Sequence, residues 1–111
     1  MKVVRDGRVA VLYSPGYGAG WYSWHGIPEL LFDPLVVDLV ERACAADSEE
    51  AAEKLYEQVL RYCQVQYSDD YFGGYDTLEI EWVPVGALFR IDEYDGAECV
   101  YTQDQYTWLE A

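Results

Sequence analysis

The run Asp6-Gly7-Arg8-Val9-Ala10-Val11-Leu12-Tyr13 decides how the rest of the chain must be arranged. Asp-Gly is a strong signal for a tight turn between two strands. Here it separates Lys2-Val3-Val4, readable as a short strand, from Arg8 to Tyr13. From Val9 to Leu12 the residues are apolar on both alternating faces. A strand with one wet face alternates apolar and polar, whereas a strand covered on both sides does not. The pattern predicts a central, well-covered strand.

The segments that cover it are readable further along. Asp33-Pro34 opens a helix, with Asp as a favoured N-cap and Pro as a favoured first helical residue. Leu35 to Cys44 is apolar around most of its circumference, which predicts a largely buried helix. Asp47 or Ser48 caps a second helix, in which Ala52, Leu55, Tyr56, Val59 and Leu60 fall on one face. Leu78, Ile80 and Trp82 alternate with Glu79 and Glu81 as a half-buried strand. Val83-Pro84-Val85-Gly86 turns the chain into Leu88–Tyr94, and Asp95-Gly96 turns it again into Ala97–Thr102. Gln103 to Ala111, with Tyr106 and Trp108, is expected as a short edge strand or a docked tail. The expected fold is α+β. A mainly antiparallel sheet, made of the N-terminal strand and a C-terminal meander, carries two helices packed on one face, with residues 1–111 as one domain.

Charge narrows the partners. Twenty-one acids against seven bases leave a net charge of −14. Such a chain repels nucleic-acid backbones and anionic membranes, and its acidity suits a solvated, solubilising surface, a basic protein partner or mimicry of a polyanion. Disorder does not explain the acidity, because eleven tyrosines, four tryptophans and three phenylalanines must pack somewhere. That aromatic excess also points to a homo-oligomer. Cys44, Cys63 and Cys99 are widely spaced beside a single histidine, so neither a zinc site nor another metal or cofactor is expected. Met1-Lys2-Val3-Val4-Arg5-Asp6 does not read as a signal peptide, and no apolar run approaches a membrane span. A cytosolic, reducing location is expected.

The stretch Ser14-Pro15-Gly16-Tyr17-Gly18-Ala19-Gly20-Trp21-Tyr22-Ser23-Trp24-His25-Gly26 is the candidate site. Glycine permits sharp turns and close approach of a ligand, and aromatics supply rigid stacking surface. The spacing fits neither a dinucleotide fingerprint nor a P-loop, and no helix is expected to begin there. One reading of the loop is a structured turn whose aromatics plug the edge of the core; the other is a pocket, in which backbone N–H groups at Gly16, Gly18 and Gly20 would hold a polar or phosphate group, while Tyr17, Trp21, Tyr22 and Trp24 would wall a flat ligand. His25 lies within the same stretch, with no spacing that joins it to a nucleophile, and no catalytic residue is assigned. Arg90, mid-strand between Phe89 and Ile91, is the candidate anion contact, the competing reading being a paired core arginine. Asp69, Asp70 and Asp76 cluster in a second glycine–aromatic loop, and Asp92, Glu93, Asp95 and Glu98 around a hairpin turn. Both clusters read first as solvated turn acids, with cation binding or paired-carboxylate hydrolysis as the remote readings.

Two runs, Gly7 to Trp21 and Phe89-Arg90-Ile91-Asp92-Glu93-Tyr94-Asp95-Gly96-Ala97-Glu98, resemble a family of small acidic proteins of tailed bacteriophages. The resemblance implies an accessory, counter-defence protein acting in the host cytoplasm, and it transfers no catalytic residue. Two functions follow as expectations. One is a non-enzymatic binder that sequesters a nucleotide-like small molecule. The alternative is an acidic, DNA-mimic-like inhibitor of a basic host protein. A small carboxylate- or metal-dependent hydrolase is the remote third.

Overall fold

A computed structural model describes residues 2–16, 20–67 and 72–102. Strand β1 (Val4–Arg5) turns through Asp6-Gly7 into β2 (Arg8–Tyr13). Asp6 and Gly7 both have positive φ, at 50° and 74°, the backbone that a two-residue type I′ hairpin requires. Then come a one-turn helix α1 (Tyr22–His25), a 3₁₀ turn over Pro28–Leu31, and the long helices α2 (Pro34–Cys44) and α3 (Glu49–Gln66). A 3₁₀ turn at Tyr75–Thr77 leads into β3 (Glu79–Pro84), β4 (Phe89–Tyr94) and β5 (Ala97–Thr102).

The fold is α+β with antiparallel pairing throughout, and its strands divide between two sheets. One has the order β1-β2-β3, so β3 folds back along the whole of β2, with Val9 opposite Val83 and Leu12 opposite Ile80. The other is the β4–β5 hairpin, closed by Asp95-Gly96 with positive φ at both residues. Strand β2 lies between two layers. Ala10 and Leu12 enter a core with Val36, Val37 and Val40 of α2 and Val59 and Cys63 of α3. Val11 enters a second core with Leu31, Val83 and Val100. This explains the unbroken apolar run: each of these residues has a partner layer on its own side. Full burial of a valine or leucine stabilises by about 1.5–3 kcal/mol, so neither face of β2 is dispensable.

The helix boundaries follow their caps. Asp33 Oδ1 accepts from the Leu35 and Val36 amides at 2.9 and 3.3 Å, and Pro34 is the first helical residue of α2. Ser48 Oγ accepts from the Ala51 amide at the start of α3, with Glu49 and Glu50 in the first turn. Asp33 does more than cap. Its Oδ2 accepts from the hydroxyls of Tyr62 (2.6 Å) and Tyr67 (2.8 Å), tying the start of α2 to the end of α3. Burial, and then the hydrogen bond to Asp33, push the Tyr62 hydroxyl up to about 12. Tyr67 rises for the same two reasons. Burial likewise raises the Cys63 thiol to about 12.

One local expectation changes: a helix does begin inside the glycine–aromatic loop, at Tyr22, and a 3₁₀ turn follows over Pro28–Leu31. The tail over 103–111 lies outside the described residues. No helix among the described residues is long and apolar enough to cross a membrane.

Candidate functional site

Tyr13 ends β2, and Ser14 begins the glycine–aromatic loop with both its backbone and its hydroxyl engaged. The Ser14 carbonyl accepts from the Glu98 amide at 2.7 Å, and the Ser14 amide donates to Glu98 Oε1 at 3.0 Å. Glu98 is fully buried. Its other oxygen, Oε2, accepts from the Trp21 amide (3.0 Å), the Ser23 amide (2.8 Å) and the Ser23 hydroxyl (2.9 Å). A carboxylate taken out of water needs its lone pairs filled, and these donors fill them. Glycine at position 20 completes the joint, donating to the Gly96 carbonyl at 2.6 Å. The loop therefore wraps an anion with its backbone donors, and the anion is a side chain of the same protein.

At the start of helix α1 this contact takes the place of a side-chain N-cap. Trp21, its N-cap residue, supplies no side-chain cap. The amides at Trp21 and Ser23 reach Glu98 instead, a carboxylate 77 and 75 positions away, lying against the positive end of the helix.

The second glycine loop packs against the first. A Cβ at Gly74, where φ is 73°, would collide with the Gly20 carbonyl oxygen, so only glycine permits this approach. Ser14 Oγ lies 2.6 Å from Thr77 Oγ1, and the Thr77 hydroxyl donates to the Gly74 carbonyl at 3.2 Å. Phe72 sits beside Trp21 and His25, with ring centroids 6.1 and 6.0 Å apart.

The candidate residues are thus distributed as follows. Trp21 is fully buried, with its ring edge-to-face on His25 at 4.8 Å, so it braces the loop from inside and offers no stacking face. His25 is also buried, and its Nδ1 accepts from the Ile27 amide at 2.8 Å, which closes the turn after α1. Tyr22 is half-buried between the two cores. Trp24 is exposed, its indole covering the side of Gly20 where a Cβ would stand. Gly16 lies against the Thr77 side chain. Tyr17 and Gly18 fall outside the described residues.

Arg90 does not join this group. Pairing across the hairpin puts Phe89, Ile91 and Glu93 on one face with Thr102, Val100 and Glu98. Arg90 falls on the opposite, outer face, opposite Tyr101, where its Nε lies 3.0 Å from Asp92 and its guanidinium 5.9 Å from the Tyr101 ring centroid. The hairpin acids separate in the same way. Asp92 pairs with Arg90, Glu93 Oε1 accepts from the Gly96 amide at 2.6 Å, Asp95 occupies the turn, and Glu98 is enclosed. Asp69 and Asp70 lie outside the described residues, and Asp76 is exposed. Among the described residues no group of three His, Cys, Asp or Glu side chains converges as a metal site.

A concavity lies outside the glycine–aromatic loop, at residues that no binding motif in the sequence marks. Lys2, Pro28, Glu29, Phe32, Asp33, Pro34 and Tyr67 line a recess of about 460 Å³ between the N-terminal segment and the start of α2. The Lys2 ammonium stands 4.5 Å from the centre of the Phe32 ring. The other face of this corner is fixed, because Phe32 meets Phe89 edge-to-face at 6.0 Å. No protein-family model, curated protein or solved structure matches the chain.

Proposed function

We propose that the protein is a non-enzymatic binding module that sets its acidic surface against a basic surface of a partner protein. In the light of the phage-protein resemblance, that partner is a host protein of the infected bacterium, and binding occludes it. The observation that carries this reading is the state of the bases. Arg5 is held by Glu41, Arg42 lies 3.7 Å from Asp38, Lys54 lies 3.7 Å from Glu50, and Arg90 is held by Asp92. Four of the seven bases are therefore each matched by a carboxylate of the same chain. The described acids other than Asp33 and Glu98 are exposed or half-buried, and in the glycine–aromatic loop the Ser14, Trp21 and Ser23 amides are taken by Glu98 and the Gly20 amide by the Gly96 carbonyl. A field of this sign accelerates encounter with a basic partner and weakens as salt rises.

Calorimetry separates this reading from nucleotide sequestration. A lysine-rich peptide is titrated at about 50 and 300 mM salt, where screening differs strongly, beside a panel of cyclic nucleotides and ADP-ribose derivatives. The expected result is peptide binding that fades with salt and silence across the panel. Saturable binding of any nucleotide, or no peptide binding at low salt, refutes it.

A further inference from the structure

We propose that the recess formed by Pro28, Glu29, Phe32, Pro34 and Tyr67 receives a lysine side chain of the basic partner, and that Lys2 is its intramolecular stand-in. The inference rests on the reading above and names the point of attachment. A lysine ammonium already stands over the Phe32 ring at 4.5 Å, within the range where the ring quadrupole attracts a cation. The ring is a fixed receptor, because Phe89 braces it edge-on. Pro28 and Pro34 add rigid apolar wall for the methylene stem, and Glu29 adds an exposed carboxylate for the ammonium. At about 460 Å³ the recess falls within the ~300–1,000 Å³ typical of ligand sites.

One feature opposes a cation here: the recess lies at the positive end of α2. Asp33 answers it. That carboxylate absorbs the Leu35 and Val36 amides and the Tyr62 and Tyr67 hydroxyls, so the helix end presents a negative charge bedded in donors. Lys2 itself is an exposed residue ahead of β1, held over the ring by a contact of modest strength, so a partner's lysine displaces it at little cost.

The test is fluorescence anisotropy of a labelled tetralysine peptide against the full chain at about 50 mM salt. Lys2→Ala removes the competitor and is expected to tighten binding about two- to fivefold, the span of an exposed cation–π contact. Arg8→Ala makes the same charge change at the turn end of the β1–β2 hairpin and is expected to tighten it less. Phe32→Leu is expected to weaken binding about two- to fivefold, and Phe32→Tyr, which keeps the ring, to restore it. Near-UV circular dichroism of both Phe32 variants checks the fold. Equal effects of Lys2→Ala and Arg8→Ala, with salt-sensitive binding intact, overturn the recess and leave the acidic-surface reading standing. A tetra-arginine peptide that binds more tightly and depends more on Phe32 overturns the choice of lysine. No binding of tetralysine by any form sinks both.

Discussion

Replacing Glu98 by alanine tests the joint on which the loop, α1 and the hairpin depend. The carboxylate fills the bonding of three backbone amides, at Ser14, Trp21 and Ser23, and of the Ser23 hydroxyl. Truncation strands those amides, and each buried donor left unmatched costs about 1–3 kcal/mol. The hydroxyl can rotate away and water can reach part of the space, so the sum falls short of additive, at about 3–6 kcal/mol. That is a large share of the ~5–15 kcal/mol by which domains of this size are stable. Glu98→Gln is milder and more diagnostic. Oε2 takes three donors and Oε1 takes one, so the amide is expected to turn its oxygen to Trp21 and Ser23. Its NH₂ then faces the Ser14 amide, donor against donor, at a cost of about 1–3 kcal/mol. Urea denaturation followed by circular dichroism gives the global loss, and amide hydrogen exchange at Ser14, Trp21 and Ser23 reports local opening. Alanine costing under about 1 kcal/mol, with protection at those three amides unchanged, refutes the assignment of Glu98 as the organiser.

Two further outcomes are expected. Gly74→Ala strains a positive φ and drives a Cβ into the Gly20 carbonyl, whereas Gly86→Ala strains a similar φ over open space. The first is expected to destabilise by well over 1 kcal/mol and the second by about 1 kcal/mol, both read from thermal melts; equal losses would show that the two glycine loops do not touch. Stability against urea is expected to hold from neutral pH to about 9 and then to fall toward 12. The Tyr62 hydroxyl and the Cys63 thiol have folded values raised to about 12 from ordinary values of 10.0 and 9.0, so their protonated forms favour the fold and ionisation opposes it. The share of tyrosinate absorbance that Tyr62→Phe removes should rise only with unfolding, and Asp33→Ala should move that share to lower pH; its appearance at the ordinary tyrosine value in the wild type would contradict the Asp33 contacts.

Much of the fold is legible because its signals are local. The apolar run of β2 names a strand with two covered faces, Asp6-Gly7 and Asp95-Gly96 name their turns, and Asp33-Pro34 names the start of α2. The partition of strands between sheets is not local. Val83 meets Val9 and Val100 meets Val11's core through tertiary packing, and periodicity does not say which strand pairs with which. Within the site, loop and glycine content are legible, but their purpose is not. One-turn α1 has no N-cap signal of its own, since its amides are satisfied from β5. A sign was available for Glu98. It alternates with Val100 and Thr102, on the face that points inward, and an acid in that register needs donors waiting for it. The same alternation assigns Arg90 to the outer face, beside Asp92.

The distance along the chain from Ser14 to Glu98, 84 positions, also bears on how the molecule assembles. Closing a loop of that length costs about 4 kcal/mol in chain entropy. A helix of four residues does not nucleate alone. Helix α1 is therefore expected to form late, once β5 has delivered its carboxylate, and substitutions confined to α1 should quicken unfolding while leaving the refolding rate nearly untouched.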